Sequence, residues 1–150
     1  MQGNAVDSEK YSLTEGKNSN SPQILVFSPR ERIRNVLIIG LLQCQYRMID
    51  TSNPYIAVMK IKQFLPDLVI IDISESNTKG FLIVNVLKKT DQTKNIPILL
   101  IVPSEPEGLL DKIKEEYTDR EVGDTIRDVI ILEYPFNFTV LVEKIKEIFS

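Results

Sequence analysis

Three carboxylates in this 150-residue chain could work together. Asp72 closes the run PDLVIID (66–72), Asp50 closes YRMID (46–50), and Glu75 follows Asp72 by three residues. A carboxylate is seldom fully buried unless it is paired, so an aspartate at the end of an apolar strand raises the question of what it serves. Acids gathered at one edge could hold a hard divalent cation, since magnesium sites are often built on one or two carboxylates. Each acid also has a plainer use. Asp72 can accept backbone amides of the loop that follows it. Asp50 can form the turn before TSNP, and Glu75 can be a solvated loop residue.

Other chemistries are removed by composition. There is no histidine, which excludes Ser–His–Asp catalysis, histidine metal ligation and a phosphohistidine carrier. The single Cys44 excludes an internal disulfide or a paired-thiolate metal site, and beside LLQ it reads as a core or half-buried residue rather than a reactive thiol. The six glycines never form GxGxxG or GxxxxGK[ST], so no loop cradles a nucleotide phosphate. The loop SPRER lacks the Ser/Thr-rich cup a flavin phosphate would need, and nothing pairs a nucleophile with a base. An interaction module is expected, not an enzyme. The formal charge of −3 shows no basic excess for nucleic acid. No window approaches the ~18 apolar residues of a membrane span, and the first residues do not read as a signal peptide, so a cytoplasmic protein is expected.

The acids need a frame to position them. Residues 1–21 are polar and aperiodic and read as a disordered leader; residues 22–150 read as one domain. Within it, apolar runs at 23–27, 46–50, 67–72, 97–102 and 128–132 alternate with helical patterns at 30–43, 54–65, 79–89, about 107–117 and 138–149. The runs are continuous rather than alternating, which suits strands covered on both faces. On the first helix Ile33, Val36, Leu37, Gly40 and Leu41 share a side; on the last, Phe138, Leu141, Val142, Ile145, Ile148 and Phe149 form a stripe. Asn53 and Pro54 form a cap and first turn. Five strands alternating with helices predict a doubly wound α/β fold with a parallel sheet, in which function gathers at the carboxyl ends of the strands. Asp72 lies at that edge.

At these residues the chain resembles a response-regulator receiver domain of two-component signalling, over residues 23–149. PDLVIIDISESNTKGFLIVNVLKK is similar to the family's third strand, acceptor aspartate, loop glycine and third helix, with Asp72 at the acceptor position and Gly80 at the glycine. NIPILLIV resembles the fourth strand, and YPFNFTVLVEKIKEIF the Lys-Pro-Phe turn and last helix, with Pro135 and Phe136 matched. The resemblance implies a flavodoxin-like (βα)5 fold with strand order 2-1-3-4-5. It also implies an aspartate that accepts a phosphoryl group with the help of Mg²⁺, an acidic pair, a hydroxyl residue and a lysine.

The sequence departs from that kit at nearly every position. Ser28 and Pro29 stand where the acidic pair is expected, and with Glu31 they read as helix cap, first helical residue and capping-box acid. Val102 takes the hydroxyl position, Tyr134 the lysine position and Ile131 the aromatic switch position. Tyr134 could still donate one hydrogen bond. Asp72 is thus expected to stand without counter-ions. Loss of both the metal and the lysine slows phosphoryl transfer by at least about a thousandfold.

The expected protein is therefore a degenerate, stand-alone receiver-like domain that signals by protein–protein contact, with no cofactor. The alternative is an atypical phosphorelay acceptor, with Mg²⁺ held by Asp72 and Asp50 or Glu75. Between Val102 and Tyr134 the chain is about ten residues longer than the resemblance requires, which is either a docking surface or a tolerated insertion. Partners, including a second copy, would engage the face made by the fourth helical pattern, the fifth strand and the last helix. An exposed part of the apolar third helix would be a further association surface.

Overall fold

The computed structural model describes residues 20–75, 79–104 and 129–150. Strands β1 (Gln23–Phe27), β2 (Arg47–Thr51), β3 (Leu68–Asp72), β4 (Ile98–Pro103) and β5 (Val129–Tyr134) alternate with helices α1 (Glu31–Gln43), α2 (Pro54–Phe64) and α3 (Gly80–Lys89); α4 (Phe138–Phe149) closes the order. All strand pairs are parallel, in the order β2-β1-β3-β4-β5. This is the expected doubly wound topology. The helical pattern at about 107–117, the longer segment containing it, and most of the expected leader lie outside the described residues.

Strand alternation sorts the side chains into two cores. Leu25, Phe27, Val69, Ile71, Leu100 and Val102 point to one face, where Ala57 and Ile61 of α2 and Ile83, Val84 and Leu87 of α3 cover them. Ile24, Val26, Leu68, Ile70, Leu99 and Ile101 point to the other, under Leu37, Ile38 and Leu41 of α1 and Leu141 and Ile145 of α4. Because both faces are covered, Leu68–Asp72 is buried throughout, Asp72 included.

Two helical readings need correction. On α1 the buried residues are Ile33, Leu37, Ile38 and Leu41; Val36 faces outward at 51% exposure. The helix is rotated so that Gly40 approaches α4, where an added Cβ would overlap the Phe138 ring at 2.2 Å. In addition, Ser28 does not cap α1. The cap residue is Arg30, without a side-chain cap bond, and the helix starts at Glu31. Ser28 is still tied to the sheet through its N–H and Thr51 O (3.2 Å), and its hydroxyl reaches the end of β3.

Elsewhere the local signals hold. Asn53 Oδ1 accepts from Tyr55 N (2.8 Å) and Ile56 N (3.0 Å), with Pro54 at the first turn. Asn137 caps α4 through Thr139 N (2.7 Å). Cys44 is half-buried against the second core. The apolar residues of α3 are buried or half-buried, so this helix offers no large exposed face. Among the described residues no helix is long and apolar enough to cross a membrane.

Candidate functional site

Asp72 ends β3 at the carboxyl edge of the sheet, with β1 and β4 on either side. Its side chain is fully buried and points to the face of Val26 and Ile70, toward the loop that joins β1 to α1. That loop supplies Ser28, Pro29 and Arg30. The proline favours extended backbone at Ser28, which keeps the serine in line with its strand.

Each carboxylate oxygen has its own serine. Ser28 Oγ donates to Asp72 Oδ2 at 2.7 Å. On the other side, Ser74 N donates to Oδ1 at 2.9 Å, and Ser74 Oγ donates to the same oxygen. Contact with Ser74, two residues on, is the local turn geometry that aspartate favours. Ser28 Oγ also lies 3.3 Å from Arg30 O. A hydroxyl has one proton, and the shorter contact with an anion takes it.

Arg30 closes the arrangement. Its backbone N donates to Ser28 Oγ at 3.1 Å, and its Nη2 donates to Ser74 Oγ. The same residue therefore holds both serines, each of which donates to a different oxygen of Asp72. Arg30 Nε lies 3.7 Å from Asp72 Oδ2, with no hydrogen-bond partner of its own. That separation is too long for a hydrogen bond, so this contact is electrostatic. The guanidinium carbon sits 4.4 Å from the centroid of the Tyr134 ring, which itself meets Phe136 edge-on at 6.1 Å. Tyr134 thus offers the cation an aromatic face.

The expectation of an isolated Asp72 is overturned. The cation is present, but it comes from the β1–α1 loop instead of the end of β5. Arg30, Arg34 and Ser74 were not among the expected site residues. The signal of the two arginines lies in SPRERIR: Arg30 and Arg34 stand four apart on the loop and helix that must pass over the ends of β2 and β3.

The other candidate residues are placed as follows. Asp50 ends near β1 on the same face, and its Oδ2 lies 3.4 Å from Arg34 Nε. Glu75 is exposed. Pro29 is exposed beside the buried Ser28. Val102 is buried in the first core, and Ile131 packs against it half-buried. The Tyr134–Pro135 peptide is cis.

No model of a known protein family and no curated protein matches this chain. Solved structures do. The chemotaxis response regulator CheY4 of Vibrio cholerae is 22% identical, with a TM-score of 0.66 over 85% of this chain and 98% of that one. The signal receiver domain of a signal transduction histidine kinase from Syntrophus aciditrophicus is 21% identical, with a TM-score of 0.69 over 85% and 89%. Response regulator TrrA from Thermotoga maritima, solved with Mg²⁺–BeF, is 23% identical, with a TM-score of 0.61 over 85% and 98%. The fold is that of response-regulator receiver domains.

A magnesium ion does not fit the residues found here. Among the described residues no three acids or thiols lie close enough to hold a metal. A cation at Asp72 Oδ2 would face the guanidinium of Arg30, and Ser28 contributes a neutral hydroxyl where a hard cation favours carboxylate.

Proposed function

We propose that this receiver-fold chain acts in signal transduction through protein–protein contact, as an interaction module without catalytic turnover, and that Asp72 is a structural anion. The observation that carries this reading is the closed set Arg30–Ser28–Asp72–Ser74. Both oxygens of a fully buried carboxylate are engaged, and an arginine neutralises them. An incoming phosphoryl group carries negative charge and needs cations aimed at its own oxygens. Here the nearby guanidinium already faces the nucleophile, and opening it would leave a buried charge unpaired. Phosphorylation also shifts a population only where a phosphate contact differs between two states, so output would follow abundance and partner binding.

The test is phosphoryl loading of the full chain. With Mg²⁺ and acetyl phosphate, or Mg²⁺ and beryllofluoride, the amide resonances of Asp72 and Ser74 stay in place and the intact mass is unchanged. A Mg²⁺-dependent mass increase located on Asp72, absent from Asp72→Asn, overturns the reading. It would make the chain an atypical phosphoacceptor instead.

A further inference from the structure

Five of the eight large apolar side chains that stand exposed among the described residues belong to α2 and its cap: Tyr55, Ile56, Met59, Phe64 and Leu65. Ala57 and Ile61 turn inward to the core, so Tyr55, Ile56 and Met59 occupy the side where a surface helix ordinarily carries charge. Met59 is 66% exposed, and Leu65 holds a left-handed backbone (φ 47°) that leaves its side chain in water. An apolar stripe of this kind, running along one helix, marks an interaction surface.

Along α2 and α3 the charge has one sign. From Pro54 to Leu65 and from Lys79 to Thr90 there is no Asp or Glu, and there are five lysines, although the chain carries −3 overall. Lys62, Lys79 and Lys89 are exposed. Lys79 reaches from the start of α3 toward α2, with its Nζ 3.5 Å from the Tyr55 hydroxyl and 5.7 Å from the ring centroid. Among the described residues no carboxylate pairs with Lys62 or Lys79. The surface is thus an apolar row with Lys62 and Lys79 at its rim, neither of them paired with a carboxylate among the described residues.

We infer that the exposed face of α2, with Lys62 and Lys79 at its rim, docks an acidic amphipathic helix of a partner protein, whose apolar row covers Tyr55 and Met59 and whose carboxylates meet the lysines. The inference rests on the reading that this chain works by protein contact, and it names the surface. Helix-on-helix docking matches apolar residues spaced i and i+4, as Tyr55 and Met59 are. Opposite charge at the rim sets encounter rate and orientation. Nucleic acid is disfavoured by the acidic net charge and by a row that is mainly aliphatic. A single short helix with few lysines is also less than the two signals that stable membrane attachment takes.

The probe is a synthetic helical peptide with leucines at i, i+3 and i+4 spacing flanked by glutamates, titrated into the ¹⁵N-labelled full chain. Amide shifts are expected at Tyr55, Ile56, Met59 and Lys79, with affinity falling on added salt. The variants Met59→Ser and Lys62→Glu/Lys79→Glu are each expected to weaken binding at least about tenfold with unchanged circular dichroism and Tm, since these side chains are exposed. A silent titration sinks the proposal. So does equal binding of the peptide with every glutamate replaced by lysine, shifts centred on Val36, Ile39 and Phe138, or binding to phosphatidylserine vesicles in place of the peptide. If the peptide fails while Asp72 still ignores the phosphodonor, the docking surface is wrong and the reading of Asp72 stands. A phosphorylated Asp72 beside a bound peptide overturns the reading of Asp72 and leaves the docking surface in place.

Discussion

Two aspartates at or next to the ends of the strands on either side of β1 point to the same face of the sheet and meet arginines four residues apart at the start of α1. They are otherwise unlike. Asp72 is wholly buried, and two serines and Arg30 surround it. The side chain of Asp50 is 24% exposed beside Arg34, which is 17% exposed and also donates to Ser28 O at 2.8 Å. Water decides what each arginine is worth. Around Asp50 solvent can stand in for a lost partner; around Asp72 it cannot. The same kind of ion pair is therefore a minor contact at one strand end and a substantial contribution to stability at the other.

The largest effect expected from this contrast is that of Arg30→Ala. Breaking a buried pair costs about 3–5 kcal/mol when the remaining charge has no other partner. Ser28 and Ser74 still donate to Asp72, and Arg30 is itself 25% exposed, so a loss of about 2–4 kcal/mol is expected from the shift in denaturant midpoint. Adding Asp72→Asn removes the stranded charge and should restore at least about half of that loss, a coupling typical of residues in one network. A cost for Arg30→Ala no larger than that of Arg34→Ala would erase the contrast between the two sites.

The sequence made the frame legible because the signals for it are redundant. LVII, ILLIV and ILVF are too apolar and too continuous for anything but strands buried on both faces, and the Asn53 cap marks its helix locally. Parallel crossovers called for a helix-covered parallel sheet, and the strand order came from the resemblance to receiver domains. The site was legible only as a set of positions. Seeing Ser28, Val102 and Tyr134 where acid, hydroxyl and lysine were expected showed which groups had gone, but gave no view of what had arrived. Arg30 is invisible to that comparison because it serves from a position the expected kit leaves empty. Its role depends on a side chain crossing from one loop to another, a long-range contact that no local pattern encodes. Val36 departs from expectation for a related reason: Ile38 and Val36 fit the helical stripe about equally well, and only the packing of Gly40 against Phe138 chooses the rotation.

A second, smaller effect separates ring from hydroxyl at Tyr134. If this residue serves as a platform for the Arg30 cation, Tyr134→Phe should lie within about 0.5 kcal/mol of the parent, while Tyr134→Leu loses roughly 0.5–2 kcal/mol. The loss in Tyr134→Leu should nearly vanish in the Arg30→Ala background, because no cation remains to be stacked. A Phe variant as damaging as the Leu variant would mean that the hydroxyl matters, which is what the phosphoacceptor alternative needs.

The smallest effect belongs to Asp50. A partly exposed pair contributes about 0.2–1 kcal/mol, and Asp50→Asn should cost no more than that at low ionic strength. Salt then sharpens the comparison better than any further substitution. Screening shortens the range of exposed charges to about 3 Å at 1 M salt but barely reaches a pair enclosed by protein. Measured from low salt to about 1 M, the cost of Asp50→Asn should fall toward zero, while that of Arg30→Ala should hold nearly constant. Parallel decline of the two would mean that water enters beside Asp72 after all, and that the arginine there is a surface contact like its neighbour.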